Sequence, residues 1–178
     1  MFKILFTTVL TVIMFLSLGI AKDNMKELKT VDYVDIEKFM GKWFVVGVIP
    51  TFAEKDAVNA IETYELNEKG KIDITFTHFK KSPDGKFKEF HPKGFIYNKE
   101  TNSEWRVQFF WPLKFKYLVI DLADDYRYTV IGVPNKKFLW IMARETELSE
   151  EDNLKIREKL VEQGYDISKI VDIPQIWK

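Results

Sequence analysis

Cysteine is absent from the 178-residue chain. That absence excludes disulfide staples, a thiol nucleophile, a thiolate metal site and attachment of lipid through a cysteine. Histidine is scarce: His78 and His91 are the only two. No H-E-x-x-H pair or paired-histidine metal spacing exists, and each reads as a solvated or hydrogen-bonded side chain, so no metal is expected. Glycine-rich phosphate loops and G-x-S-x-G elbows are also missing. Neither sign of charge is in excess, with 27 basic against 27 acidic residues, so there is no basic footprint for nucleic acid. Beyond Ile20 no apolar run approaches the length of a membrane helix.

What is present begins with a charged start, Met1-Phe2-Lys3, an apolar run from Ile4 to Leu18 and a small-residue exit at Gly19-Ile20-Ala21. This is the pattern of a secretory signal peptide cut after Ala21. Residues 1–21 are therefore expected to be a leader and residues 22–178 a single domain, large enough for a core without staples. The product is expected to be exported to a periplasm or to the medium. With no cysteine to follow the leader, it is expected not to be lipid-anchored.

Aromatic residues make up 15% of the chain, with 15 Phe and 5 Trp, which suits a β core lined with rings or an apolar cavity. Asp35 is placed to cap a short helical turn ending at Phe39. From Trp43 onward, β-prone runs recur with turn signals between them: Trp43 to Ile49, Ala57 to Leu66, Lys71 to Lys80, Lys86 to Tyr97, Glu104 to Trp111, Phe115 to Leu122, Tyr126 to Val133 and Phe138 to Arg144. The Asp124-Asp125 pair reads as turn chemistry. Eight strands with mostly hairpin-length links close naturally into an up-and-down barrel, because closure removes the exposed edges. The fold class is thus all-β, an eight-stranded antiparallel barrel. One helix follows, capped by Ser149, acidic in its first turn and ended by Gly164. Leu154, Val161 and Tyr165, widened by Ile156 and Leu160, are expected to pack it against the barrel wall. Ile167 to Ile173 offers a last short strand.

Three stretches carry a family resemblance. Phe39-Met40-Gly41-Lys42-Trp43-Phe44-Val45-Val46 holds a G-x-W signature after a helical turn. Asp124-Asp125-Tyr126-Arg127-Tyr128-Thr129-Val130-Ile131-Gly132 looks like a motif joining strands six and seven, and Leu139-Trp140-Ile141-Met142-Ala143-Arg144 like a strand-eight motif ending in arginine. In this order and spacing they resemble the lipocalins, most closely the bacterial outer-membrane branch and apolipoprotein D. The departure is the missing lipobox cysteine.

The resemblance implies a cup closed at one end. Gly41 would allow the tight turn into strand one, while Trp43 and the guanidinium of Arg144 would stack as a structural floor. Strand alternation then assigns the ligand-facing side chains. Trp43 carries Val45 and Gly47 inward with it, and Arg144 carries Met142 and Trp140. The other expected ligand-facing residues are Ile74 and Phe76, then Val107, Phe109 and Trp111, then Leu118 and Ile120, then Thr129 and Ile131. The resemblance puts Tyr64 inside, and parity takes Glu62 with it. A bulge near Asn59 that turns Glu62 out to water is the competing arrangement. If inside, Glu62 should repel a carboxylate and favour a neutral or cationic head group.

The function implied is binding, storage or transport of a small hydrophobic ligand, of the fatty acid or lysophospholipid class, in the service of cell-envelope lipid. No catalysis and no cofactor are expected. Two rivals stand beside it: a lipocalin-fold enzyme acting on a lipid, although the isomerase type uses a cavity cysteine, and a surface protein that binds a partner through its open-end loops. Peripheral contact with a membrane and a monomer or weak homodimer complete the expected partners.

Overall fold

A computed structural model describes residues 27–177, so the expected leader lies outside the described residues. Asp35 accepts from the amides of Glu37 and Lys38 and starts α1, Ile36–Phe39. The strands are β1 Gly41–Ile49, β2 Ala57–Leu66, β3 Ile72–Lys80, β4 Lys86–Phe90, β5 Lys93–Ile96, β6 Glu104–Phe110, β7 Leu113–Leu122, β8 Tyr128–Gly132 and β9 Leu139–Ala143. Helix α2 spans Glu150–Glu162, and a short β10, Val171–Asp172, follows a single 3-10 turn. Neighbouring strands pair antiparallel, and β1 pairs with β9, which closes the barrel.

The run expected from Lys86 to Tyr97 is one wall of the barrel in two pieces, interrupted at His91-Pro92. Proline has no amide to give the ladder. Both pieces nevertheless pair with β3, so eight staves remain.

The upper halves of β1 and β2 splay apart, and the C-terminal segment fills the gap. Here β10 pairs with Gly47 and Val48 of β1, Ile173 donates to the Val46 carbonyl, and Asn59 of β2 donates to the Pro174 carbonyl. The Gln175 amide bridges the carbonyls of Val45 and Ala60.

Two apolar clusters divide the molecule. One fills the barrel, from Phe39, Trp43, Tyr64 and Trp105 up to Ile131 and Trp140. The other lies outside, where Ile156, Leu160 and Tyr165 meet Leu118, Ile120, Val130 and Ile141. Helix α2 starts at Ser149, whose hydroxyl accepts from the Asp152 amide, and Gly164 ends it with φ +83. Its buried stripe is Asp152, Ile156 and Leu160, whereas Leu154 and Val161 are exposed. The helix is thus rotated from the expected stripe. Asp152 takes the wall side because it meets Arg127 of the β7–β8 turn through two hydrogen bonds, 2.7 and 2.9 Å long. Lys159 likewise reaches Asp121 of β7 at 2.7 Å.

Candidate ligand site

The closed end is built around Phe39. Its ring lies 5.2 Å from Trp43, 5.2 Å from Trp105 and 5.4 Å from Tyr64, each tilted or edge-on. Trp43 anchors its indole by donating to the Phe39 carbonyl at 2.8 Å. Gly41 turns the chain from α1 into β1 with φ +92, a conformation that costs glycine nothing and other residues a good deal. Arg144 closes the underside, its guanidinium over the Trp43 ring. Gly41, Trp43 and Arg144 therefore sit together at the closed end.

Above this floor, Val45, Tyr64, Ile74, Phe76, Val107, Ile131, Trp140 and Met142 belong to the interior cluster. Thr129 is opposite Met142, shares its face, and donates to the Asp121 carbonyl at 3.1 Å. These nine expected residues point inward.

Five others do not, and each departure has a local cause. Between Val45 and Gly47 the pairing of β1 with β9 shifts by a bulge, so Gly47 faces outward against Ile141 and Ile170, and Val48 takes the inward place. On β7 the inner face belongs to Tyr117 and Val119, while Leu118 and Ile120 pack under α2. The expected alternation is one residue out of phase there, and a second bulge between Val119 and Asp121 restores the inward direction at Leu122. A third shift, between Val107 and Phe110, leaves Phe109 half-exposed and Trp111 at the tip of the β6–β7 hairpin, 86% exposed.

Glu62 is inside. A bulge does occur between Val58 and Ile61, with Asn59 at φ 54. It lies early enough in β2 that Ala60, Glu62 and Tyr64 keep one inner face, with Glu62 opposite Phe76. The Tyr64 hydroxyl donates to the Glu62 carboxylate and lies 2.5 Å from the Tyr117 hydroxyl. Tyr117 is also 3.4 Å from the same Glu62 oxygen, and the Tyr64 hydroxyl is 3.8 Å from the Met142 sulfur. Because Tyr64 and Tyr117 come from different walls, the cluster bridges the barrel interior directly over the floor. Burial, reinforced by the Glu54 carboxylate and opposed by the Tyr64 hydrogen bond, pushes Glu62 up to about 7. Burial also holds both phenols well above their ordinary range.

Glu54, Tyr117 and His78 are interior groups that the sequence pattern does not reveal. Glu54 folds back from the β1–β2 loop, accepting from Trp140 Nε1 at 3.0 Å and from the Thr51 amide at 2.8 Å. His78 continues the inner face of β3 beyond Phe76 and is 2% exposed. Among the described residues no group of three or more His, Asp or Glu could hold a metal ion.

Residues 34–175 match the family model described as a Lipocalin-like domain. The chain is a lipocalin. Temperature-induced lipocalin-1 of Arabidopsis thaliana is 31% identical over 162 residues, 84% of each chain. Outer membrane lipoprotein Blc of Escherichia coli K12 is 25% identical over 82% of this chain and 81% of its own. Mouse apolipoprotein D is 29% identical over 79% and 77%. Among solved structures, insecticyanin from the tobacco hornworm superposes with a TM-score of 0.66 at 18% identity, covering 85% of each chain. Lipocalins generally bind small hydrophobic ligands.

Proposed function

We propose that this lipocalin binds and carries a single-chain lipid, of the fatty acid or lysophospholipid class, within the barrel, and performs no chemistry on it. The observation that carries the reading is the inner face itself: aliphatic and aromatic side chains from β1, β3, β6, β8 and β9 stand in one contiguous cluster above an aromatic floor. Burying an acyl chain against such a wall contributes about 0.8 kcal/mol per methylene before ordering costs. Export agrees with the Met1–Ala21 pattern and with a relative named as an outer membrane lipoprotein. The test is a titration with palmitate and with a lysophospholipid, followed by tryptophan fluorescence through Trp105 and Trp140. Saturation at or below about the micromolar range supports the reading, and no saturable change below about a millimolar ends it.

The same reading brings the open end to a lipid surface, where such a ligand would be collected or delivered. Phe52, Phe87, Phe110, Trp111 and Leu113 are all exposed at that end, and the exposed Lys55, Lys81 and Lys86 lie in the same loops and strand ends. Apolar side chains flanked by lysines suit an anionic bilayer. Co-flotation with anionic vesicles and not with neutral ones is the expected result; absence from both fractions would remove this part of the proposal.

A further inference from the structure

We infer that Glu62, Tyr64 and Tyr117 form a head-group subsite within the barrel, which accepts a hydroxyl or ammonium group at the buried end of a single-chain amphiphile and rejects a carboxylate. This rests on the carrier reading and specifies the chemistry of its ligand.

Position is the first support. The cluster bridges β2 and β7 inside the barrel, immediately above the Phe39–Trp43–Trp105 floor, so a chain entering from the open end would meet it last. A purely structural cross-member would be served by two phenols. A carboxylate adds a strong acceptor in an apolar lumen, and burying one is costly unless a donor meets it.

The second support is the sign of the charges around it. Facing Glu62 are Tyr64 from its own strand, Trp43 opposite it on β1, Phe76 opposite it on β3 and Tyr117 from β7. Glu54 acts on it from the β1–β2 loop. None of these is a cation. Arg144 lies beneath Trp43 and is committed to the carbonyls of Lys38, Phe39, Met40 and Lys42. Lys88 is opposite His78, nearer the mouth. An ionised Glu62 thus has hydrogen bonds but no counter-charge, and a ligand ammonium would supply one.

His78 is a titratable group on the same inner face, tilted against the Phe76 ring at 5.3 Å with its Nδ1 3.1 Å from the Phe79 carbonyl oxygen. It lies beyond Phe76, toward the mouth, and is not part of the subsite.

Because burial holds Glu62 near 7, the preference depends on pH. Above that value the carboxylate attracts an ammonium and repels an anion; below it the protonated acid donates and tolerates a carboxylate.

The experiment uses the mature chain with dodecylamine, dodecanol and laurate below their micelle concentrations, at about pH 6 and about pH 8.5. Across that range the amine stays protonated and laurate ionised. The ratio of amine to laurate affinity is expected to rise about tenfold or more between the two pH values, with dodecanol changing little. Glu62→Gln should abolish the rise. Tyr117→Phe should keep it, with the midpoint moved upward because one hydrogen bond to the carboxylate is lost. A flat ratio in the parent overturns the subsite and leaves the carrier reading standing, and so does a rise that persists in Glu62→Gln. Failure of all three ligands to bind overturns both.

Discussion

The guanidinium carbon of Arg144 lies 3.7 Å from the centre of the Trp43 ring system. Its nitrogens donate to the carbonyls of Lys42 and Lys38 at 2.7 Å, Met40 at 2.9 Å and Phe39 at 3.2 Å. One side chain at the end of the last barrel strand thereby holds the turn that begins the first. The cation also covers a ring that would otherwise face water.

Arg144→Ala should cost about 2 to 4 kcal/mol, from the lost stacking and from carbonyls left without their donor. Ligand affinity should be unchanged, since the floor rings separate Arg144 from the lumen. Denaturant midpoints and ligand titration on the same preparation check this. An unchanged midpoint with lost affinity would contradict the structural role.

Stability should fall as pH rises from about 4.5 to about 7 and level off above that. Glu62 has a folded value near 7 against its ordinary 4.5, so the folded state holds the proton more tightly than the unfolded chain. The stabilisation is complete below about 4.5 and lost as pH passes about 7, amounting to something on the order of 3 kcal/mol. Unfolding of the parent and of Glu62→Gln at a series of pH values tests the sign. The variant should lack this loss and be the more stable of the two above about pH 7.

Asp152 behaves in the opposite sense. Hydrogen bonds from Arg127, with help from Ser149 and against the cost of burial, hold its carboxyl below the ordinary range. Its contribution is present above the unfolded value and lost as pH falls through the folded one. Half of the Arg127 side chain is solvent-exposed, which limits the worth of the pair. Asp152→Asn should cost about 1 kcal/mol and speed hydrogen exchange in α2 more than in the strands.

At Gly132 the segment that follows α2 packs tightly on the wall. A β-carbon there would lie 2.5 Å from the Tyr165 hydroxyl and 3.0 Å from the Ile120 side chain. Gly132→Ala should destabilise by about 1 to 3 kcal/mol by displacing Tyr165, which hydrogen-bonds the backbone of Val133 and Phe138. Tyr165→Phe combined with it should recover part of the loss; full additivity of the two changes would argue against this contact.

Periodicity and turn chemistry make the eight staves, both helix caps and the closing helix legible in the sequence. The three motifs locate the floor because Gly41, Trp43 and Arg144 each have a single structural role there, one as the turn, one as the ring and one as the cation that covers it. Side-chain direction is legible only as far as the first irregularity. Gly47, Phe109 and Trp111 lie at or beyond a register shift, and local composition does not announce a bulge. Leu118 and Ile120 are misplaced for a different reason. On β7 the residues from Tyr117 to Asp121 are all buried, one face by the lumen and the other by α2, so alternation of hydrophobicity vanishes. Asp152 is hidden because hydrophobic patterning gives a charged residue to the solvent side, whereas its partner on the distant β7–β8 turn fixes the helix rotation.

Native mass spectrometry of the protein, purified without detergent from the cells that express it, tests the carrier reading most directly. The expected spectrum shows one single-chain lipid per barrel, released on unfolding. Protein that carries no lipid, and gains none on incubation with single-chain lipids, would contradict it.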